Sequence, residues 1–305
     1  MKAVLTNASN DLFKDSRVRL NESAQRFGIG VNSYDFEEIR STIFYAENRG
    51  VLDSPKGIGY WLWKPYIVLE TMRNLQDGDV VIYSDCGHEI IASLDPLLQI
   101  CANEQPVLLF ANGDLRNSMF TKMDCFLLMD CNTKKYWRGT QADASFALFR
   151  KSPEAIKYLK EWMKYGRDIR IISSNPNTLG KRNKPDFVEH RWDQSIMSLL
   201  AIRYHISYYR APSQYGNHYK LPAYRVPGEF NQLNQYQQQQ VDYYAAAPFE
   251  NSPYGQLLNH HRTKRGPVVN APKKTIFTNL SARIKRKAYH FWVWIDERVL
   301  NGETI

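Results

Sequence analysis

The sequence predicts an α/β fold: a mostly parallel sheet flanked by helices, followed by a basic helical tail at the C-terminus. Over the first two hundred residues, short apolar, β-branched segments alternate with longer amphipathic ones. This alternation is typical of strands and helices that follow one another in a parallel sheet. The 305 residues are 43% hydrophobic and 13% aromatic, enough for a large core, and this composition excludes a collagen-like, coiled-coil or wholly disordered chain.

Strands are predicted where apolar residues run between turn residues. Asp79–Ser84 (DVVIYS) is the clearest, because the turn dipeptide Asp77-Gly78 precedes it. In open α/β sheets ligands bind outside the carboxyl ends of the strands, so residues directly after strands are the first candidates for a site. The other predicted strands are Lys2–Ala8, Pro106–Ala111, Ala144–Phe149 and His205–Tyr209.

Helices are predicted from capping residues and amphipathic spacing. Ser152 is a suitable N-cap, Pro153 fits the first helical position, and Gly166 ends the helix. The other predicted helices are Arg17–Phe27, Lys64–Gln76 and Asp193–Tyr204. Ser213–Pro272 is rich in Pro, Tyr and Gln and has little periodicity, which predicts a long surface excursion or, alternatively, a flap that closes over a ligand.

The positive charge of the chain is concentrated near its C-terminus. Nine Lys and Arg residues and no acid lie between Arg262 and His290, and the formal net charge of the whole chain is +9. The body is therefore neutral, which argues against nucleic acid as a partner. The basic stretch indicates a local anionic partner such as phosphate or a membrane surface.

The sequence predicts a cytoplasmic location. It contains no run of 18 apolar residues, and its first residues (MKAVLTNASNDLF) do not resemble a signal peptide. Cys86, Cys101, Cys125 and Cys131 form neither a CxxC pair nor a zinc-binding pattern, so reduced thiols are expected.

Two candidate motifs flank the strand Asp79–Ser84. Asp85 follows it directly in YSDCG, where a carboxylate can hold a divalent cation that also binds phosphate; an ordinary turn is the alternative. In Gly57–Pro65 (GIGYWLWKP), Lys64 precedes a predicted helix whose first N–H groups could bind an anion. An aromatic core cluster would explain the rest of that motif without explaining Lys64.

Two further motifs lie later in the chain. In EHRWDQS, Asp193 could simply cap its helix, but His190, Arg191 and Gln194 make a polar cluster larger than capping requires. Residues 259–265 (NHHRTKR) combine paired histidines with three cations, a set that suits a metal with attached phosphates or, equally, a solvated basic loop.

Together, GYWLWKP, GDVVIYSDCG, EHRWDQSIMSLL and HHRTKR resemble segments of bacterial and viral sugar transferases of the GT-A fold, and more distantly the glycogenin-type (family 8) glycosyltransferases. The resemblance covers residues 1–265 and implies a GT-A-like, Rossmann-like domain there, with 266–305 as a basic tail. It implies transfer of a sugar from a nucleotide-sugar donor, chiefly a UDP-sugar, to a hydroxyl of a glycan or glycolipid acceptor.

The resemblance also implies residue roles. Asp85 would hold Mn²⁺ or Mg²⁺ with His260 or His261, although Gly87 stands where the family's second acid is expected. Asp193 and Gln194 would be the catalytic pair facing the transferred sugar, with Asp193 either a general base or, in a retaining enzyme, a positioning group. The implied donor-binding residues are Thr6, Asn7, Lys64, Tyr83, Ser84, Asp85, Gln141, His190, Lys264 and Arg265.

The tail raises an alternative function. Within residues 275–300, apolar side chains recur every three or four positions beside basic and Trp residues, which predicts a helix in peripheral contact with a membrane or, alternatively, one packed on the main domain. A non-catalytic adaptor that binds glycan or membrane through this tail would leave GYWLWKP and HRWDQS without a role. A nucleic-acid enzyme would need basic residues interleaved with aromatics along the body, which is neutral.

Overall fold

The protein, described here by a computed structural model for residues 1–217 and 249–261, is built on a seven-stranded mixed sheet. The strand order is β2-β1-β3-β7-β5-β6, with β8 beside β5; five strands run in one direction and β6 and β7 run in the other. The predicted mostly parallel α/β sheet is therefore confirmed. The strands are β1 Ala3–Ser9, β2 Gly30–Asp35, β3 Val80–Ser84, β4 His88–Ile90, β5 Val107–Arg116, β6 Thr140–Ala142, β7 Phe146–Arg150, β8 Tyr208–Tyr209 and β9 Leu258–His260.

Helices cover the sheet, and the four predicted ones lie close to their predicted positions. Ser152 caps one of them, since its Oγ accepts a hydrogen bond from the Ala155 N–H at 3.3 Å. The helices are α1 Lys14–Arg26, α2 Phe36–Arg40, α3 Ile43–Glu47, α4 Arg49–Leu52, α5 Gly57–Tyr60, α6 Trp63–Arg73, α7 Asp95–Asn103, α8 Asn117–Phe120, α9 Met123–Leu128, α10 Lys134–Trp137, α11 Pro153–Gly166, α12 Ile169–Ile172, α13 Trp192–Arg203 and α14 Gln214–Asn217.

The sheet separates two hydrophobic clusters. Along β3, Val81 and Tyr83 belong to one cluster, whereas Val80 and Ile82 belong to the other, as the alternation of side chains along a strand requires. All four are at most 1% exposed. Burying an aliphatic side chain of this kind stabilises the fold by about 1.5–3 kcal/mol, so β3 is a rigid support for the residue that follows it.

The predicted long surface excursion over Ser213–Pro272 is wrong for its described parts, residues 213–217 and 249–261, which are largely packed against the body. Tyr254, Leu257 and Leu258 are buried in the second hydrophobic cluster, and β9 pairs with β4 in a separate two-stranded sheet. The turn-rich composition conceals a short strand with three apolar anchors. Residues 218–248 and 262–272 of the predicted excursion lie outside the described residues, as does the predicted helix within 275–300.

The topology places a crevice at the carboxyl ends of β1 and β3. The chain passes from β1 to β2 on one side and then returns to β3 on the other side, and all three strands are parallel. Such a reversal of strand order is where ligands bind in open α/β sheets. Among the described residues, no helix is both long and apolar enough to cross a lipid bilayer.

Candidate active site

A cleft of about 780 Å³ opens at this crevice. Its walls come from Ala8, Ser9 and Asn10 at the end of β1 and from Asp85, Cys86 and Gly87 after β3. The turn before α6, the first turn of α13 and the histidines after β9 complete the walls. The motifs GIGYWLWKP, YSDCG and EHRWDQS therefore all contribute to one cleft. The two histidines of NHHRTKR, which are the described part of that motif's charged end, line the same cleft.

Lys64 connects two carboxylates of the cleft wall, Asp85 and Asp193. Its side chain is 3% exposed, and its Nζ lies 3.2 Å from Asp85 Oδ1 and 3.2 Å from Asp193 Oδ2. Nζ also donates a hydrogen bond to the Ala144 carbonyl at 2.9 Å. The first turn of α6 supplies the lysine, β3 supplies Asp85 and α13 supplies Asp193, so three distant segments are joined by one ammonium group.

The electrostatics of this cluster follow from burial and mutual charge. Burial alone would lower the pKa of Lys64, but the charges and hydrogen bonds of Asp193 and Asp85 raise it above its ordinary value. Burial raises the pKa of Asp193 to about 6, with a further contribution from Asp85, although Lys64 opposes the shift. Lys64 is therefore a fixed cation, while Asp193 can take up a proton near neutral pH.

Asp193 does not cap its helix. The N-cap position of α13 is Arg191, which makes no capping hydrogen bond through its side chain, and Asp193 lies inside the first turn with its carboxylate on Lys64. The capping interpretation of Asp193 is therefore wrong. Its carboxylate instead lines the cleft and pairs with Lys64.

Tyr83 and Ser84 support the cleft from beneath. The Tyr83 hydroxyl donates a hydrogen bond to Asp85 Oδ1 at 2.5 Å. Burial, together with the charge and hydrogen bond of Asp85, raises the pKa of Tyr83 well above its ordinary value, which keeps the donor protonated. Ser84 is fully buried, with its Oγ 3.0 Å from His88 Nδ1. Both orient the segment that follows β3.

Gln194 lines the cleft, and a chain of buried amides stands behind it. Gln194 Nε2 donates to Gln141 Oε1 at 3.0 Å, and Gln141 Nε2 donates in turn to Asn117 Oδ1 at 2.7 Å. Gln141 is fully buried and does not reach the cleft wall. Its position fits a residue that orients Gln194 rather than one that touches a ligand.

Three other predicted donor-binding residues also lie behind the cleft surface. Thr6 and Asn7 are fully buried in β1, and Asn7 receives a hydrogen bond from Ser33 Oγ at 2.9 Å. His190 accepts a hydrogen bond from the Lys122 backbone N–H through Nδ1 at 3.2 Å, and burial lowers its pKa to about 3, so its imidazole is neutral. Lys264 and Arg265 lie outside the described residues.

Gly87, where a second acid was expected, has a packing role. A Cβ at this position would lie 2.8 Å from the His261 carbonyl oxygen, and the His261 N–H donates to the Gly87 carbonyl at 2.7 Å. The absence of a side chain therefore lets the β9 segment approach. That approach brings His260 and His261 to the cleft wall, with the His260 ring 4.7 Å from that of His88.

The described residues do not form a complete metal cage. Within 1–217 and 249–261, no three His, Cys, Asp or Glu side chains converge on a point where a metal ion could sit. Asp85, His260 and His261 nevertheless line the same cleft, and the Asp85 side chain is 38% exposed. One accessible carboxylate suffices for a hard cation such as Mg²⁺ that takes its remaining ligands from substrate phosphates and water.

Sequence reasoning missed the aromatic wall of the cleft. Trp61 and Trp192 both line it, and their ring centroids are 5.3 Å apart. Trp61 lies in GYWLWKP and Trp192 in EHRWDQS, but only the folded backbone brings their rings to the same side of the cleft.

The sequence analysis also did not identify Asp143. This residue lines the cleft and accepts a hydrogen bond from the Ser145 N–H at 2.8 Å. The Asp-x-Ser pattern after a short strand was its signal in the sequence.

The solved structures that resemble this chain include several glycosyltransferases. The bifunctional glycosyltransferase WbbM is 13% identical over 88% of this chain, which spans 46% of WbbM, with a TM-score of 0.46. Mouse xyloside xylosyltransferase 1 is 11% identical over 86% of this chain and 97% of its own, with a TM-score of 0.44. The galactosyltransferase LgtC, solved with donor and acceptor sugar analogues, is 14% identical over 87% of each chain, with a TM-score of 0.39.

Glycosyltransferases, the class that the motifs resemble, are thus among the solved structures similar to this chain. No family model matches the chain, and no curated protein sequence does. With TM-scores below 0.5, these similarities carry no argument about function, which has to be derived from the cleft itself.

Proposed function

We propose that this chain is a glycosyltransferase that moves a sugar from a nucleoside-diphosphate sugar, chiefly a UDP-sugar, to a hydroxyl of a glycan or glycolipid acceptor. The observation that carries the proposal is Lys64 held between Asp85 and Asp193 in the cleft at the strand-order reversal. A buried ion cluster that joins three segments at a ligand-binding edge is a functional-site signal, because it is costly to build for stability alone.

The cleft offers a separate region for each part of such a donor. The carboxyl end of β1, at Ala8 to Asn10, is the natural position for the nucleoside. Asp85 is then nearest the diphosphate, and Asp193 with Gln194 is nearest the transferred sugar. Lys64 lies between the diphosphate and the sugar, where the bond between them breaks.

In the reaction, the acceptor hydroxyl oxygen forms a bond to the anomeric carbon, and the bond from that carbon to the diphosphate oxygen breaks. The electron pair leaves with the nucleoside diphosphate, and the acceptor proton passes to the Asp193 carboxylate. A base with a pKa near 6 is well matched to this step at neutral pH. Lys64, already charged, stabilises the negative charge that grows on the leaving group.

The charge balance of the cleft supports an added cation. Three carboxylates and three basic side chains line the described cleft, so its formal charge is close to zero while the donor diphosphate is negative. We assign Asp85, with His260 or His261, as the residues that would hold Mg²⁺ or Mn²⁺. When bound, the ion would neutralise charge on the diphosphate. The charged residues of the cleft wall are Lys56, Lys64, Asp85, Asp143, Arg191 and Asp193.

The proposal is tested by donor binding and turnover. We expect UDP or UDP-sugars, in a panel with GDP-, CDP- and ADP-sugars, to raise the melting temperature, and more so with Mn²⁺ or Mg²⁺ than with EDTA. Asp85→Asn should remove the metal-dependent part of this shift. Asp77→Asn, an exposed turn residue outside the cleft, is the matched control. No shift with any nucleotide sugar would overturn the proposal.

A further inference from the structure

The strongest feature that the proposed chemistry does not use is the aromatic wall. Trp61 and Trp192 are each partly exposed, and their rings meet at 42° with centroids 5.3 Å apart. The Trp192 Nε1 donates a hydrogen bond to Ser174 Oγ at 2.7 Å, which fixes the orientation of the ring. The exposed Lys56 ammonium lies 4.3 Å from the centroid of the Trp192 ring, so this ring already packs against a mobile side chain that a ligand could displace.

The backbone holds this wall in an uncommon conformation. Ile58, Tyr60, Trp61 and Trp192 have φ between 48° and 62°, and they are four of the six non-glycine residues with positive φ among the described residues. A bulky residue in this region is conformationally strained, because its Cβ crowds the neighbouring backbone. Backbone strain that is concentrated on two segments of one cleft is typical of a ligand-binding surface, because strained residues cluster at such sites.

Gly57 is shaped by the same wall. A Cβ at this residue would lie 2.4 Å from the Trp61 ring. The indole therefore rests directly on the glycine backbone, and Trp61 also lines the cleft. The glycine of this motif thus serves the position of an aromatic ring.

The wall lies beside the ion cluster and apart from the residues that follow β1. Lys64 Nζ is 5.7 Å from the centroid of the Trp61 ring, and Trp192 is the neighbour of Asp193 in the chain. The nucleoside region is supplied by a different element, the carboxyl end of β1. Because the donor sugar has to lie at the ion cluster itself, the aromatic wall is available to the second substrate.

We propose that Trp61 and Trp192 bind a pyranose ring of the acceptor by stacking against its apolar C–H face. This inference rests on the proposed function, since it names the class of acceptor that the same cleft receives. Aromatic faces are weakly negative and pack well against polarised C–H groups. Indoles tilted at 42° form an angled surface, which suits a ring with its hydroxyl directed at Asp193.

The test uses saturation-transfer NMR on the full chain. The probes are the methyl α- and β-glycosides of glucose, galactose, mannose and N-acetylglucosamine, each with UDP present. We expect at least one glycoside to receive saturation mainly on the protons of one ring face. Trp61→Leu and Trp192→Leu should weaken its binding about tenfold or more, whereas Trp61→Phe, which keeps an aromatic face, should stay within about threefold of wild type.

Trp137→Leu is the control. Trp137 is also partly exposed, but it lies outside the cleft, with the Lys184 ammonium 3.0 Å from its ring centroid. Its replacement should leave glycoside binding unchanged. UDP-induced thermal stabilisation, measured on every variant, checks that the nucleotide region is intact.

The outcomes separate the two proposals. If UDP stabilises the chain but no glycoside in the panel binds, or if binding survives both leucine variants, the acceptor role of the tryptophans is overturned while the donor site stands. If no nucleotide stabilises the wild type, the transferase proposal fails on its own measurement. Face-selective saturation lost in the leucine variants and restored in Trp61→Phe supports the acceptor surface.

Discussion

The ammonium group of Lys64 is enclosed by two carboxylates and a carbonyl, and its charge offsets the repulsion between the two carboxylates. With Asp85 and Asp193 ionised, the cluster carries one formal negative charge; without the lysine it would carry two. The raised pKa of Asp193, to about 6, shows how far burial already disfavours its charge. The lysine therefore controls both the stability of the site and the pH at which Asp193 acts as a base.

We expect Lys64→Met to destabilise the protein by about 3–5 kcal/mol at pH 8, the usual cost of removing one partner from a buried ion cluster. The loss relative to wild type should be smaller at pH 5, because a protonated Asp193 no longer repels Asp85. Urea unfolding at both pH values measures this difference. Lys64→Met/Asp193→Asn is the control and should recover part of the stability. An equal loss at both pH values would contradict the electrostatic account.

A second expectation concerns Asp193 as the proton acceptor. A base must be deprotonated to act, so transfer should decline as pH falls through about 6, the pKa of Asp193. Asp193→Asn should lower turnover by about 10²–10⁴-fold and abolish this acidic limb. Initial rates from pH 5 to pH 9 measure both effects. Activity of the variant within a few-fold of wild type, with the limb intact, would assign the base to another group.

At the scale of elements, the pairing of β4 with β9 joins the segment after β3 to the histidine segment of the candidate site. The pairing His88↔His260 and the hydrogen bond from His261 to Gly87 hold the histidine segment against the residues that follow β3. This pairing depends on a glycine whose missing Cβ leaves room for the His261 carbonyl. The second acid that the family resemblance leads one to expect at position 87 would therefore displace β9.

We expect Gly87→Ala to destabilise the chain by about 1–3 kcal/mol, the usual cost of forcing extra atoms into a packed site. It should also weaken nucleotide binding, because β9 carries part of the cleft wall. Gly255→Ala is the matched control, since a Cβ there would meet nothing within 4 Å. Thermal melts with and without UDP measure both effects. Equal melting temperatures for the two alanine variants would show that β9 can move aside without cost.

Elements and motifs differed in how far the sequence could predict them. The strands β3 and β7 and the helices α6, α11 and α13 were predicted within about three residues, because local apolar runs and caps define them. The strand β9 was missed, because three residues among prolines and glycines carry no periodic signal and exist only by pairing with β4.

The candidate site shows the same division. Asp85, Lys64 and Asp193 were identified as candidates from motifs, but their meeting on one ammonium group depends on packing between distant segments. Thr6, Asn7 and Gln141 are fully buried and are absent from the cleft wall, because the packing of neighbouring elements over β1 and β6 decides which side chains reach a ligand. The aromatic wall depends on positive φ angles, which residue type alone does not reveal.

At the scale of the whole molecule, the described residues form a large hydrophobic cluster on each face of the sheet. All four cysteines are free, in line with the reduced thiols expected from the sequence, and all four are buried. We propose that residues 1–265 form the transferase domain and that 266–305 add a basic segment that contacts anionic membranes, where a lipid-linked acceptor would be found.

A chain that ends after Pro272 should therefore stay folded and lose affinity for anionic vesicles. The full chain should sediment with phosphatidylserine vesicles at low salt and be released as salt rises, since each basic residue near such a surface contributes about 1 kcal/mol. Co-sedimentation and thermal melts of both chains measure these effects, with neutral phosphatidylcholine vesicles as control. Unfolding of the shortened chain would instead assign the tail to the core.

The pairing of β4 with β9 also sets the order in which the cleft can be completed. The residues it joins lie at the end of the first third of the chain and near its end, so this contact closes one of the longest loops in the fold. Closing a long loop carries a large entropic cost and slows folding. During synthesis, the β1 and β3 walls can therefore form well before residues 257–261 leave the ribosome. A nascent chain then holds an ordered sheet with an unfinished cleft, which is completed only when residues 257–261 pair with β4.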